Sequence, residues 1–206
     1  MSDHTKSVPF ERLRIFQSPL LEELTLTRPA SVAAVWSIII VVLAALALSS
    51  PLWRVEVGVP AFLAGLFVWT LFEYAMHRFV FHWQAKSPKG KQLVYMMHGV
   101  HHKQPQDRMR ALMPPFTSIP LAAALFGLAA LVVERPWLDI AACGFLVGYL
   151  VFDLIHWGCH NARLPTRLGR ALKRYHLRHH YDHSTPGNFG VSTPLWDWVF
   201  GTRLTK

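Results

Sequence analysis

Four apolar stretches, separated by polar and basic segments, set the pattern of the chain. Residues 31–49 (SVAAVWSIIIVVLAALALS) carry no charge and are long enough to cross a bilayer as one helix. Residues 57–77 follow after a short turn containing Pro51 and Arg54. After a polar interval come residues 117–133, with Pro120 near the start, and residues 137–155, joined by Glu134, Arg135 and Pro136. The third stretch is the weakest, being the shortest and holding a proline. The pattern predicts an all-α integral membrane protein with four transmembrane helices in two hairpins. It forms one domain over 1–206, with an N-terminal arm at 1–28. Two polar regions, 77–115 and 156–206, form a helical cap.

Composition supports that reading. Of the 206 residues 52% are apolar and only 16% charged, yet the formal charge is +9. The excess is therefore concentrated. The arm, the first polar region and the tail hold all Lys and Arg except Arg54 and Arg135, which lie in the two short loops. Positive charge collects on the cytoplasmic side, so both termini and the whole cap are expected there. The same charge suits anionic lipid; long uncharged runs exclude a nucleic-acid binder. Cys143 and Cys159 lack paired spacing, which argues against a disulfide framework or an iron–sulfur site. The first 28 residues mix both charges and hold no cleavable apolar core, so no secretory signal is expected.

Eleven of the twelve histidines fall at the inner ends of the apolar stretches or just beyond. They form HxxxxH (His77, His82), HxxHH (His98, His101, His102), HxxxH (His156, His160) and HxxHH (His176, His179, His180), with His183 just after; His4 stands apart. Positions i, i+3 and i+4 share a helical face, so each HxxHH is expected to aim three imidazoles one way. His77 and His82 are five apart, which needs either a break in the helix or a grip from two sides. Neutral imidazole is the commonest nitrogen ligand for zinc, iron and copper. Ten such groups exceed the capacity of one ion and predict a dinuclear site. The step from His82 to His98 equals that from His160 to His176, which suggests that two halves of the chain converge on it.

Glu73 and Asp153 each lie about one turn before a histidine of the set, and His183 follows it. All three are candidates to orient ligating imidazoles. The aromatic tail offers Trp196, Trp198 and Phe200 as candidates to line an acyl entrance. An all-imidazole pair at one membrane edge is unlike a zinc hydrolase or a transporter, whose ligands sit at mid-bilayer. A pair of iron ions activating O₂ fits better, because the lipid can deliver an apolar chain to the oxidant. The competing class is a non-enzymatic metal- or haem-binding membrane protein, which dense clusters on one side disfavour.

The segments EYAMHRFVFH, HGVHHKQPQDRMRALMPP, GYLVFDLIHWGCH and YHLRHHYDHSTPGNFGVSTPLWDWVFGT resemble the fatty acid hydroxylase superfamily. Within it they are most similar to the fatty acid 2-hydroxylase (sphingolipid alpha-hydroxylase) branch, rather than to sterol or carotenoid hydroxylases and desaturases. The likeness covers about residues 60–203. It implies an O₂-dependent hydroxylase of an acyl chain, most simply at C2, with two iron ions that zinc can replace. The implied ligands are His77, His82, His98, His101, His102, His156, His160, His176, His179 and His180, with no catalytic side chain beyond them. Phe152 stands before Asp153 where close members carry Tyr. No cytochrome b5 domain is visible, so electrons are expected from a separate cytochrome b5-like, ferredoxin or rubredoxin-type protein. A bacterial inner membrane is the expected location.

Overall fold

The computed structural model describes residues 10–182 and 185–204, and among these every regular element is helical. A short helix α1 (Pro19–Leu24) ends the arm, and α2 spans Pro29–Leu48. Helix α3 (Val55–Ala75) continues without interruption through a π-helical segment, Met76–Phe81. Then come α4 (Pro88–Val94), a second π segment (Tyr95–Gly99) and α5 (Val100–Lys103). Helix α6 runs over Pro115–Ala129, α7 over Trp137–Asn161, α8 over Arg167–Tyr181 and α9 over Leu195–Val199.

Three helices, Pro29–Leu48, Val55–Phe81 and Trp137–Asn161, are long and apolar enough to cross a membrane. The fourth expected span is shorter than the apolar stretch suggested. Helix α6 has 15 residues, about 22 Å at 1.5 Å per residue, against a hydrocarbon core of about 30 Å. Pro115 starts it, and after Ala129 the chain turns over Ala130–Val133 instead of continuing the helix.

Helix α7 is the hub. In its most apolar stretch 61% is buried, against 17% for α2 and α3, both of which pack chiefly on α7 rather than on each other. Small residues permit the closest contact. A Cβ on Gly65 would lie 1.9 Å from the Ala141 carbonyl oxygen, and one on Gly144 would lie 1.9 Å from that of Phe62. Gly144 and Gly148 form a small-xxx-small pair, the pattern that lets membrane helices approach backbone to backbone. Trp69 fills the groove at Gly148 and meets Phe145 and Tyr149 edge-on.

The pairings also fix direction. Trp53 packs near Trp137, Gly65 against Ala141 and Trp69 on Phe152, so α3 and α7 run parallel. Trp36 meets Tyr149 while Ala47 packs with Ile140 and Cys143, so α2 is antiparallel to α7. The arm, α4, α5 and α8 gather at the histidine end, while α6 packs along α7.

Candidate metal centre

All ten motif histidines converge, and they sort into two groups of five. His77, His82, His98, His102 and His179 form one; His101, His156, His160, His176 and His180 form the other. Within each, one ligand atom per residue lies within 4.8 Å of every other. The three imidazoles of HxxHH therefore do not aim one way as expected. In each motif the i and i+4 histidines stay with their own half of the chain, and the i+3 histidine, His101 or His179, joins the other group. The two halves interlock through that exchange, and His102 of one group stacks on His180 of the other, with ring centres 4.2 Å apart.

Local backbone explains the odd spacing of the first motif. The His82 N–H donates to the His77 carbonyl at 3.2 Å, an i→i+5 bond that closes a π turn. A π turn widens the helix by about one residue per turn, so five residues here do what four do in α7. Both imidazoles then reach one group. A second π turn, in which Val100 N–H donates to the Tyr95 carbonyl, precedes His101.

The arrangement fits a pair of metal ions. In the first group Nε2 of His77 lies 3.1 Å from Nε2 of His98, and Nε2 of His82 lies 3.0 Å from that of His179. In the second, His160 and His176 are 2.7 Å apart and His180 and His176 3.0 Å, again through Nε2. Nitrogens about 2.1 Å from a common ion in octahedral array stand about 3 Å apart. Nε2 of His101 and of His156 are buried with no hydrogen-bond partner among the described residues, as expected of atoms meant for a metal. Burial first, and neighbouring imidazoles second, push His98, His101 and His176 well below the usual histidine range, and His82 down to about 4. The set is thus neutral and able to ligate near neutral pH.

The other candidates lie elsewhere than the spacing suggested. Glu73 is buried, but its carboxylate accepts from the backbone N–H groups of Val191 (2.6 Å) and Ser192 (2.9 Å) and from the Ser192 hydroxyl, and among the described residues it bonds to no imidazole. Asp153 is buried beside Tyr149, with one carboxylate oxygen that has no hydrogen-bond partner among the described residues. His183 lies outside the described residues. What holds His77 and His179 is instead the tail: Nδ1 of His77 donates to the Phe189 carbonyl at 2.6 Å, and Nδ1 of His179 to that of Gly187 at 2.8 Å. Sequence reasoning missed these carbonyls, since any residue can supply one; the only trace was the GNFG punctuation.

An apolar cavity of about 530 Å³ reaches the site. His77, His98, His101 and His156 face it at one end, and Trp36, Trp69, Leu125 and Phe145 line it further along. Ile15 and Phe16 of the arm also border it. The arm is pinned there by two residues that follow the first HxxHH, Asp107 and Arg110. Asp107 accepts from Arg12 at 2.7 Å, and Arg110 donates to Glu22, to the Leu13 carbonyl and to the Thr25 hydroxyl. Among the described residues that line the cavity, Trp196, Trp198 and Phe200 do not occur. Trp196 donates to the Thr70 hydroxyl and packs on Phe67, Phe200 stacks on Tyr74, and Trp198 is 65% exposed. Trp196 and Phe200 thus pack on α3, and Arg203 lies over the Trp198 ring.

Comparison with known proteins agrees with this geometry. A family model for fatty acid hydroxylases matches residues 62–202, which include every histidine of both groups. The chain is 38% identical over 193 residues to the dihydroceramide fatty acyl 2-hydroxylase FAH1 of Arabidopsis thaliana, covering 93% of this chain and 80% of that one. It is 40% identical over 146 residues to the ceramide very long chain fatty acid hydroxylase SCS7 of Saccharomyces cerevisiae, covering 69% of this chain and 38% of the relative. The solved structure of full-length scs7p, in which only the hydroxylase domain is visible, superposes with a TM-score of 0.83 at 36% identity. That match covers 90% of this chain and 70% of the other. By matched length, identity and shared fold, the chain belongs to the fatty acid hydroxylase family.

Proposed function

We propose that this protein hydroxylates the acyl chain of a fatty acid or acyl lipid at C2, using O₂ and two electrons delivered by a separate electron-transfer protein of the cytochrome b5, ferredoxin or rubredoxin kind. One oxygen atom enters the C–H bond; the other leaves as water with two protons. The observation that carries the reading is the apolar cavity that ends against His77, His98, His101 and His156. Two iron ions held by the ten imidazoles would supply the O₂ activation that side chains cannot, and zinc can occupy the same ligands without that redox chemistry.

The chain's own groups do the positioning. From His156 down to Phe145 is eleven residues of α7, about 16 Å, enough to lay out about a dozen methylenes along the apolar wall. With the methyl end at Trp36 and Phe145, the carbons next to the acyl head lie beside the imidazoles. The apolar lining excludes water from the reacting carbon, and the arm closes the cavity beside the head. The named activities of FAH1 and SCS7 support the same acyl substrate class.

For the membrane arrangement we infer four passes with both ends of the chain on the cytoplasmic side. Because α3 and α7 run parallel, the segment between them must climb back the same height. Helix α6, which packs antiparallel on α7 through Phe126 against Phe145, together with the turns after it, serves as that return. The basic residues of the arm, cap and tail then lie on one side.

Expression in a host that makes no 2-hydroxy fatty acids, with mass spectrometry of its hydrolysed lipids, tests the activity. New 2-hydroxy acyl chains are expected. A hydroxylated sterol or carotenoid, or a mid-chain double bond, as the sole new product would refute the reading.

A further inference from the structure

The tail beyond α8 does more than cover the protein. Asn188 has a left-handed backbone (φ +56°) and is fully buried. Asparagine is one of the few residues with a side chain that accepts this conformation at small cost. Its amide donates to the Tyr175 carbonyl of α8 at 3.1 Å, and its side-chain oxygen accepts from the Leu204 N–H at 2.8 Å. The carbonyls on either side of it, those of Gly187 and Phe189, take Nδ1–H of His179 and His77. Asp197, fully buried on α9, holds the far side of the turn: it accepts from Phe189 N–H (2.9 Å), Gly190 N–H (2.7 Å) and the Thr202 hydroxyl (2.7 Å). The turn tolerates no side chain at Gly190, where a Cβ would lie 2.1 Å from the Thr193 carbonyl oxygen.

Both braced imidazoles belong to the same group of five. The other group is served differently. Buried Nδ1 atoms of His101, His176 and His180 have no hydrogen-bond partner among the described residues, and His156 meets the backbone of Ala111. An imidazole whose Nδ1–H is committed to a carbonyl has its tautomer and ring direction set before metal arrives.

We infer that Asn188 and Asp197 are positioning residues for the group of His77, His82, His98, His102 and His179, and that they make it the tighter of two metal sites of unequal affinity. The inference rests on the dinuclear reading above. Loss of an outer partner of a ligating histidine typically weakens metal binding 10–100-fold.

Zinc binding to the full-length protein, competed with EDTA, tests it without reference to turnover. His160→Ala removes one imidazole from the second group and His82→Ala one from the first, so in each variant the competition reads the intact group as the tighter site. The His160→Ala protein is expected to bind its zinc at least about tenfold more tightly than the His82→Ala protein. Adding Asp197→Asn or Asn188→Gly to His160→Ala is expected to weaken zinc about 10–100-fold, and adding either to His82→Ala to leave affinity unchanged. Asn188→Gly keeps the left-handed backbone accessible and removes only the side chain, so it reports even where Asp197→Asn folds poorly. Equal affinities in the two histidine variants, or equal weakening in both backgrounds, overturn the inference. Absence of zinc from both histidine variants overturns instead the dinuclear reading on which it stands.

Discussion

His101 and His179 differ from the other ligands by one step along a helix, and that step carries them into the opposite group. On an α-helix the i+3 side chain lies about 60° from i and the i+4 side chain about 40° on the other side, so a single motif can serve two neighbouring sites. The spacing alone picked out all ten histidines that the fold gathers, and suggested two ions. It left the exchange of His101 and His179 unseen, because which side each faces depends on the helix packed opposite. Burial of so many imidazoles has a cost that acid makes visible. In the folded, metal-free protein His98, His101 and His176 titrate well below 6.5 and His82 at about 4, whereas in the unfolded chain they titrate near 6.5. Below pH 6.5 the unfolded chain therefore takes up protons that the folded one refuses, and stability falls as pH falls. Each such group costs up to about 1.4 kcal/mol per pH unit over that window. The melting temperature of chelator-stripped protein is expected to be lower at pH 5.5 than at pH 7.5; an equal or higher value at pH 5.5 contradicts the burial described for these side chains.

At the level of elements, helix type and helix contact decide whether the ligands meet. The π turn at Met76–Phe81 absorbs the extra residue of HxxxxH and brings His82 alongside His77. The sequence posed that choice between a broken helix and a two-sided grip, but no local composition announces a π turn. The long apolar helices were legible because uninterrupted hydrophobicity over about 20 residues is the pattern a bilayer-spanning helix demands and a soluble helix lacks. The length of α6 was not, since Ala130–Val133 is as apolar as the helix before it yet turns away. Contact between α3 and α7 rests on glycines whose role only the packed pair reveals. Gly144→Ala puts a methyl 1.9 Å from the Phe62 carbonyl oxygen, backbone that cannot rotate aside, while Gly127→Ala on α6 meets nothing within 4 Å. Thermal unfolding in detergent is expected to show Gly144→Ala destabilised by about 1–3 kcal/mol and Gly127→Ala unchanged or slightly stabilised. Equal behaviour of the two would refute the backbone contact.

Across the whole molecule, two parallel helices deliver histidines to the same end, and a cavity walled by several helices reaches those histidines. The resemblance indicated the chemistry, and the basic segments indicated one face. The cavity itself was beyond reach of the sequence. Its walls come from α2, α3, α6 and α7 together, and Trp36, Leu125 and Phe145 look like ordinary apolar residues in any one of them. The aromatic tail, by contrast, attracted an entrance role because it is conspicuous. In the fold it braces His77 and His179 through backbone groups that carry no side-chain signature. The proposed chemistry depends above all on the carbon beside the acyl head being the one that reaches the imidazoles. Cells expressing the protein and fed a fatty acid carrying two deuterium atoms at C2 and none elsewhere give the most direct measurement. The hydroxylated acyl product should retain one of the two deuterium atoms, the other having been replaced by the new hydroxyl. A hydroxylated or desaturated product that keeps both would place the reaction further along the chain and contradict hydroxylation at C2.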